Sequence, residues 1–222
     1  LKKTLAIALC DNGHVDSKFL DGILSIIVYM NSVDSKVVFD GLMHVTGSQI
    51  AQQRQTAIES WYKNAQSDML LWLDSDVVIN QEVFKKLIDS IDETDRPIVS
   101  GVYFISPNQY ETMADPYPAI FTDDGNKNTS IHPLPVNQLI KIDAAGFGFL
   151  LMHRSAVKKL IESEDSLFDV TFGKINLGED ISFFRKAKKN GIPVYAHTGA
   201  LAGHMKRFNL DINYYKNRWI NK

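Results

Sequence analysis

Cysteine is almost missing from this sequence, where Cys10 stands alone. A lone thiol excludes an internal disulfide and any zinc site built from several cysteines, and it suits a reducing, cytoplasmic compartment. Long apolar runs are missing too. Lys2 and Lys3 followed by residues 5–10 imitate the opening of a signal peptide, but Asp11, Asn12 and Gly13 cut the run short. No later run reaches the ~20 residues that a membrane helix needs. A basic excess is also absent: 24 Lys and Arg against 26 Asp and Glu give a formal charge of -2, with no dense cationic stripe. That balance removes a nucleic-acid backbone from the expected partners and leaves a small molecule or a neutral polymer. Internal repeats and low-complexity tracts are lacking as well. Asn128-Thr129-Ser130 fits the N-glycosylation pattern, but such triplets are frequent by chance and it carries no argument.

What remains is a chain of 222 residues, 45% hydrophobic, long enough to bury a full core. Apolar runs at 4–10, 36–41 and 69–74 are rich in Val, Ile and Leu, the pattern of strands buried on both faces. Between them, 17–30 and 48–65 carry apolar residues at helical spacing, and Asn80 is placed to cap a third helix burying Val83, Phe84, Leu87, Ile88 and Ile91. Strand, helix, strand, helix, strand implies a parallel sheet. Residues 98–105 read as a further strand. The stretch 106–137, rich in Pro, Asn, Asp and Tyr, has only 119–122 strand-like and is expected to be a lid or acceptor loop. Runs at 139–143 and 149–153 flank a glycine-containing turn. Helices follow at 155–162 and 179–190, the second closed by Gly191 and Pro193, and 194–197 is a last short strand. Tyr214, Tyr215 and Trp219 are expected to pack back or to lead into a further domain.

The chemistry concentrates in a few places. Residues 70–76, Leu-Leu-Trp-Leu-Asp-Ser-Asp, put two carboxylates where a buried parallel strand leaves the sheet, and ligands bind outside the carboxyl ends of such strands. Asp and Ser are also common turn residues; the apolar strand ahead of them is what favours a site for Asp74 and Asp76 around a divalent ion. Gly178-Glu179-Asp180 opens an amphipathic helix, where a carboxylate gains from the helix dipole whether or not it does chemistry. As chemistry, Asp180 accepts a proton from an attacking hydroxyl, while Glu179 binds acceptor hydroxyls or supports Asp180. His204, after the small residues Gly199, Ala200 and Ala202, adds a nitrogen ligand. Two carboxylates with an imidazole suit Mn²⁺, with Mg²⁺ as the oxygen-preferring alternative. Arg54 shares a buried helix stripe with Ala57, Ile58 and Trp61, so its charge needs a partner, either a diphosphate or an internal carboxylate. Asp40, closing the second strand, is placed to accept a hydrogen bond from a base or ribose. Residues 144–149, Ala-Ala-Gly-Phe-Gly-Phe, offer glycines for close backbone approach to a sugar and aromatic faces for its C–H surface, or else a bulge or tight hairpin.

Taken in order, the strand at 5–10, Asp40, Arg54, residues 73–76, residues 145–149, residues 178–180 and His204 resemble the GT-A class of nucleotide-sugar glycosyltransferases, in its family-2-like branch with a D-x-D motif. The resemblance spans nearly the whole chain. It implies an α/β, Rossmann-like fold: a mostly parallel central sheet flanked by helices, with a small additional β region on the acceptor side. It also implies one domain over 1–222, whose 1–105 half binds the nucleotide sugar and whose 106–222 half binds the acceptor. Under it Ala8, Cys10 and Asp40 border the nucleoside and Arg54 approaches the diphosphate. Asp74 and Asp76, with Ser75 between them, hold metal and ribose, and His204 completes the metal site. Gly146, Phe147, Gly148 and Glu179 meet the acceptor, and Asp180 is the base. The implied reaction moves a sugar from a nucleotide sugar, with UDP expected, to a hydroxyl of a glycan or glycoconjugate with inversion. Two departures stand out: residues 8–12 lack the proline frequent in that opening loop, and Gln55 follows Arg54 where Asn is common. The rival readings are a haloacid-dehalogenase-type phosphatase using Asp74 and Asp76, whose nucleophile strand normally comes first, and a sugar-binding scaffold without turnover.

Overall fold

The computed structural model describes residues 2–106, 116–172 and 175–206, together with Ile212 and Lys216. Tyr214, Tyr215, Trp219 and residues 107–115 of the long connection lie outside them. Seven strands build the central sheet: β1 (Lys3–Asp11), β2 (Val37–Thr46), β3 (Met69–Asp74), β4 (Ile98–Val102), β5 (Leu139–Ile142), β6 (Phe149–His153) and β7 (Val194–Leu201). Their order across the sheet is β5-β7-β4-β6-β3-β1-β2. The chain is parallel from β1 to β2 and to β3, and again from β4 to β7, while β6 and the edge strand β5 run antiparallel to their neighbours.

Alternation along each strand decides which side chains meet which helices. On β1, Leu5, Ile7 and Leu9 face one side, where they pack with Phe19, Ile23 and Ile26 of α1 (Ser17–Met30) and with Phe84 and Leu87 of α3 (Gln81–Ser90). Ala6, Ala8 and Cys10 face the other. There lie Ala57, Ile58 and Trp61 of α2 (Ile50–Asn64), Val157 and Leu160 of α4 (Arg154–Ser163) and Phe183 and Phe184 of α5 (Glu179–Lys189). Both faces are therefore covered, which is why the strands read as unbroken apolar runs. Asn80 caps α3 as its position predicts, its side-chain oxygen accepting from the Val83 N–H at 3.0 Å. A small three-stranded sheet of Ala144–Ala145, Ile120–Asp123 and Asn128–Ser130 supplies the additional β region. No described helix is long and apolar enough to cross a membrane.

Two strands outrun their expected limits. The second does not stop at 41. Leu5 pairs with Phe39 and Ala6 with Gly41, so Asp40 is an extra residue in a bulge, and beyond it the ladder continues to Thr46. Gly41, at φ 146°, takes the backbone value that the irregularity demands. The last strand likewise continues past 197 to Leu201, through a register shift against β4 between Ala196 and Leu201.

Candidate active site

Strands β1, β2 and β3 all point their carboxyl ends at one cleft of about 440 Å³. Cys10, Asp11 and Asn12 enter it from β1, Gly47 and Ser48 from the turn after β2, Gln53 and Arg54 from α2, and Asp74, Ser75 and Asp76 from the turn after β3. A second chamber of about 270 Å³ shares Asn12, Ser75 and Asp76 with the first and is closed by His14, Asp16, Met205 and Lys206. The Asp16 N–H donates to the Ser75 carbonyl at 3.1 Å, which ties the loop before α1 to the turn carrying the aspartates.

A two-residue strand brings His204 here: Gly203–His204 pairs antiparallel with Val77–Val78, His204 opposite Val77. The ring then reaches Asp76, Nε2 lying 3.2 Å from Oδ2, while Nδ1 lies 2.8 Å from the Phe104 carbonyl. A carbonyl only accepts, so Nδ1 is the N–H donor, and in a neutral ring the Nε2 lone pair faces the carboxylate. A proton on Nε2, or a cation held between the two atoms, satisfies that contact. Lys206 supplies a positive charge to the same Oδ2 at 3.0 Å. Burial works against the Asp76 charge, but the contacts with His204 and Lys206 outweigh it and hold the carboxyl below its usual range.

Arg54 settles its own question. Its side chain is 5% exposed and it takes internal carboxylates: Nη1 donates to Glu179 Oε1 at 2.5 Å, and Nη2 to Asp74 at 3.1 Å and 3.3 Å. The guanidinium also lies 4.9 Å from the centroid of the Phe147 ring. Burial favours loss of its proton, but Asp74 and Glu179 more than compensate and hold it charged. The bridge joins α2 to the end of β3 and to the first turn of α5. Beside it, the Asp180 carboxyl is pushed up to about 6, first by burial and then by the neighbouring Glu179 charge, with Arg54 pulling the other way. One Asp180 oxygen accepts from the Ile181 N–H at 2.7 Å.

Residues 42–161, more than half of the chain, match the family described as Glycosyl transferase family 2. The chain belongs to glycosyl transferase family 2. Solved structures share its fold at low identity. A197 from STIV is 20% identical over 92% of this chain and 86% of that one, with a TM-score of 0.60. GalNAc-T7, solved with UDP, GalNAc and Mn²⁺, is 13% identical over 97% of this chain at a TM-score of 0.59, and only 47% of that longer chain is covered. The catalytic domain of Drosophila β1,4-galactosyltransferase 7, in complex with xylobiose, is 11% identical over 99% of this chain and 80% of that one, at 0.52. No curated protein sequence matches.

For this family 2 glycosyltransferase the site differs from expectation in several places. Of the three expected metal ligands, Asp76 and His204 come together, whereas both Asp74 oxygens are engaged by Arg54. Among the described residues no three His, Cys, Asp or Glu side chains gather closely enough to hold an ion. Asp40 is exposed on the bulge, well before the end of β2 and outside the cleft; Asp11, at the end of β1, is the acidic residue that lines it. Ala8 is wholly buried in the sheet, below the cleft floor. Cys10 does line the cleft, but burial pushes its thiol up to about 12.

The glycine-flanked loop is core, not a sugar platform. Phe147 is 1% exposed and packs its ring edge to face with Trp72, Phe168 and Phe183, at centroid distances of 5.4, 5.0 and 4.9 Å. Gly146 and Gly148 are small because Tyr103 lies against them: a Cβ on Gly146 would sit 1.9 Å from the phenol oxygen. Glu179 is held by Arg54, which leaves it to shape the charge around Asp180 rather than to greet an acceptor. Three residues escaped notice. Asp11 ends its strand as Asp74 does and accepts from the Gly13 N–H and pairs with His44, both at 2.7 Å. Lys206 stands two positions after His204, the spacing that returns a side chain to the same side of an extended backbone. Tyr103 had no local signal.

Proposed function

We propose that this glycosyltransferase moves a sugar from a nucleoside diphosphate sugar, UDP first among them, to a hydroxyl of a glycan or glycoconjugate, with inversion, using a divalent cation for which Mn²⁺ fits better than Mg²⁺. The observation that carries it is the Asp76–His204 pair at the cleft mouth, a carboxylate and an imidazole nitrogen whose partner nitrogen is already fixed on the Phe104 carbonyl. Metal-binding histidines are oriented in this way, and the mixed oxygen and nitrogen pair favours Mn²⁺. Bound there, a divalent cation would supply Lewis-acid stabilisation of the departing diphosphate. The GalNAc-T7 neighbour, solved with UDP and Mn²⁺, supports the choice of both.

The chain's own residues do the rest. A cleft of about 440 Å³ between β1 and α2 is within the range of small-ligand sites, and its walls offer Asp11, Asn12, Gln53 and Ser75 to the nucleoside. Asp180, pushed up to about 6, is poised to take the proton of an acceptor hydroxyl near neutral pH. In this reading the nucleotide belongs to the half before residue 106 and the acceptor to the half after it. The test is calorimetric titration of UDP, GDP and their sugars with Mn²⁺, with Mg²⁺ and with chelator, repeated on Asp76→Ala. Metal-dependent binding lost in the variant supports the reading, and no nucleotide binding under any condition overturns it. Assignment of the product anomer by NMR checks Asp180 separately, because retention would remove it as the base.

A further inference from the structure

An imidazole nitrogen and an ammonium converge on one oxygen of Asp76: His204 Nε2 at 3.2 Å and Lys206 Nζ at 3.0 Å. The His204 contact follows from the strand pairing, and the Met205 N–H, donating to the Asp76 carbonyl at 2.8 Å, brings the backbone of Lys206 alongside while its long side chain stays free to choose a partner. Its side chain is 40% exposed, on a flexible four-carbon stem, and it borders the chamber that shares Asn12, Ser75 and Asp76 with the nucleotide cleft. A cation binding Asp76 must displace that ammonium or share the carboxylate with it. A compact ammonium released at this point can pair with the phosphate oxygens of a diphosphate bound in the adjoining cleft.

We propose that Lys206 is a resident counter-ion of the metal site, neutralising Asp76 until a nucleoside diphosphate arrives, then yielding the carboxylate to the divalent cation and moving onto the diphosphate. This rests on the metal role given above to Asp76 and His204. It makes metal and nucleotide binding mutually dependent through one side chain: Lys206 weakens binding of the metal alone and strengthens binding of the nucleotide.

The experiment is calorimetric titration of Mn²⁺ alone, and of UDP at saturating Mn²⁺, into the wild-type protein, Lys206→Met and Asp76→Asn. Lys206→Gln serves as a second variant, and thermal melts confirm folding. An exposed ion pair is worth up to about 1 kcal/mol, or about fivefold in affinity. Lys206→Met should therefore bind Mn²⁺ alone about two- to fivefold more tightly and UDP more weakly by at least a similar factor. An unchanged Mn²⁺ affinity or an unchanged UDP affinity in Lys206→Met, with wild-type binding intact and Asp76→Asn defective, overturns the Lys206 role and leaves the metal site standing. Failure of every protein to bind Mn²⁺, with UDP or without, overturns the metal reading itself.

Discussion

Arg54→Met removes a charge from the most connected point of the site while keeping most of its apolar stem. The guanidinium is 5% exposed, and its two partners differ: Glu179 is 17% exposed and Asp74 31%. Removing one member of a fully buried pair costs about 3–5 kcal/mol, because the abandoned charge cannot regain water. Asp74 stands near enough to solvent to recover part of its hydration, which lowers the expected figure to about 2–3 kcal/mol. Loss of the contact with the Phe147 ring adds about 0.5–1 kcal/mol. Urea denaturation of Arg54→Met should thus show a loss of about 3 kcal/mol. The same substitution removes the group that pulls the Asp180 carboxyl down, so any proton uptake by Asp180 moves above its value of about 6. A double-mutant cycle with Glu179→Gln isolates the bridge and should return a coupling of about 1–2 kcal/mol. A loss below about 1 kcal/mol in the single variant, with no coupling to Glu179, would refute a closed bridge between α2, β3 and α5.

Other outcomes follow from the same geometry. The unfolded chain releases the Asp180 proton near 3.8 and the folded protein near 6. Between those values the folded state binds more protons, so stability falls as pH rises through that window, and Asp180→Asn should flatten the fall in denaturation curves taken at pH 4 and pH 7. If Asp180 is the base, wild-type turnover rises through about pH 6, and Asp180→Asn lowers kcat by about 10²–10⁴ while leaving nucleotide affinity intact; a pH profile with no limb there removes the role. Phe147→Ala should cost about 3–5 kcal/mol in a urea melt, as a buried aromatic does, whereas a sugar-facing ring would cost little stability and much acceptor affinity. Cys10 should resist a thiol reagent at pH 8 in the native protein and react at once in denaturant, since burial holds its thiol up to about 12.

Much of the fold was legible because it is written in periodicity. Residues 17–30 and 69–74 carry helix and strand patterns that coincide with α1 and β3, and the aspartates at the end of β3 pointed to the cleft before any geometry was known. Legibility failed where long-range contacts decide. The bulge at Asp40 interrupts alternation and Gly41 looks like a stop, yet pairing with β1 carries β2 onward to Thr46. Two glycines around an aromatic look like a ligand loop from sequence alone; here they make room for Tyr103, a distant residue in the chain. His204 reaches Asp76 only through a two-residue ladder, too short to leave a pattern.

The charges around Arg54 make one point that no single residue does. Asp74, Glu179 and Asp180 share one guanidinium, and that guanidinium makes its hydrogen bonds to Asp74 and Glu179. The odd carboxyl is then the one that holds a proton to unusual pH. It is Asp180, which Arg54 favours only through its field and Glu179 opposes. Burial raises the proton affinity of Asp180 first, and the Glu179 charge that this bond holds beside it adds to that rise. A helix start rich in carboxylates is ordinary; burial of Asp180 beside a Glu179 that Arg54 holds in place is what leaves this one able to exchange a proton near pH 6.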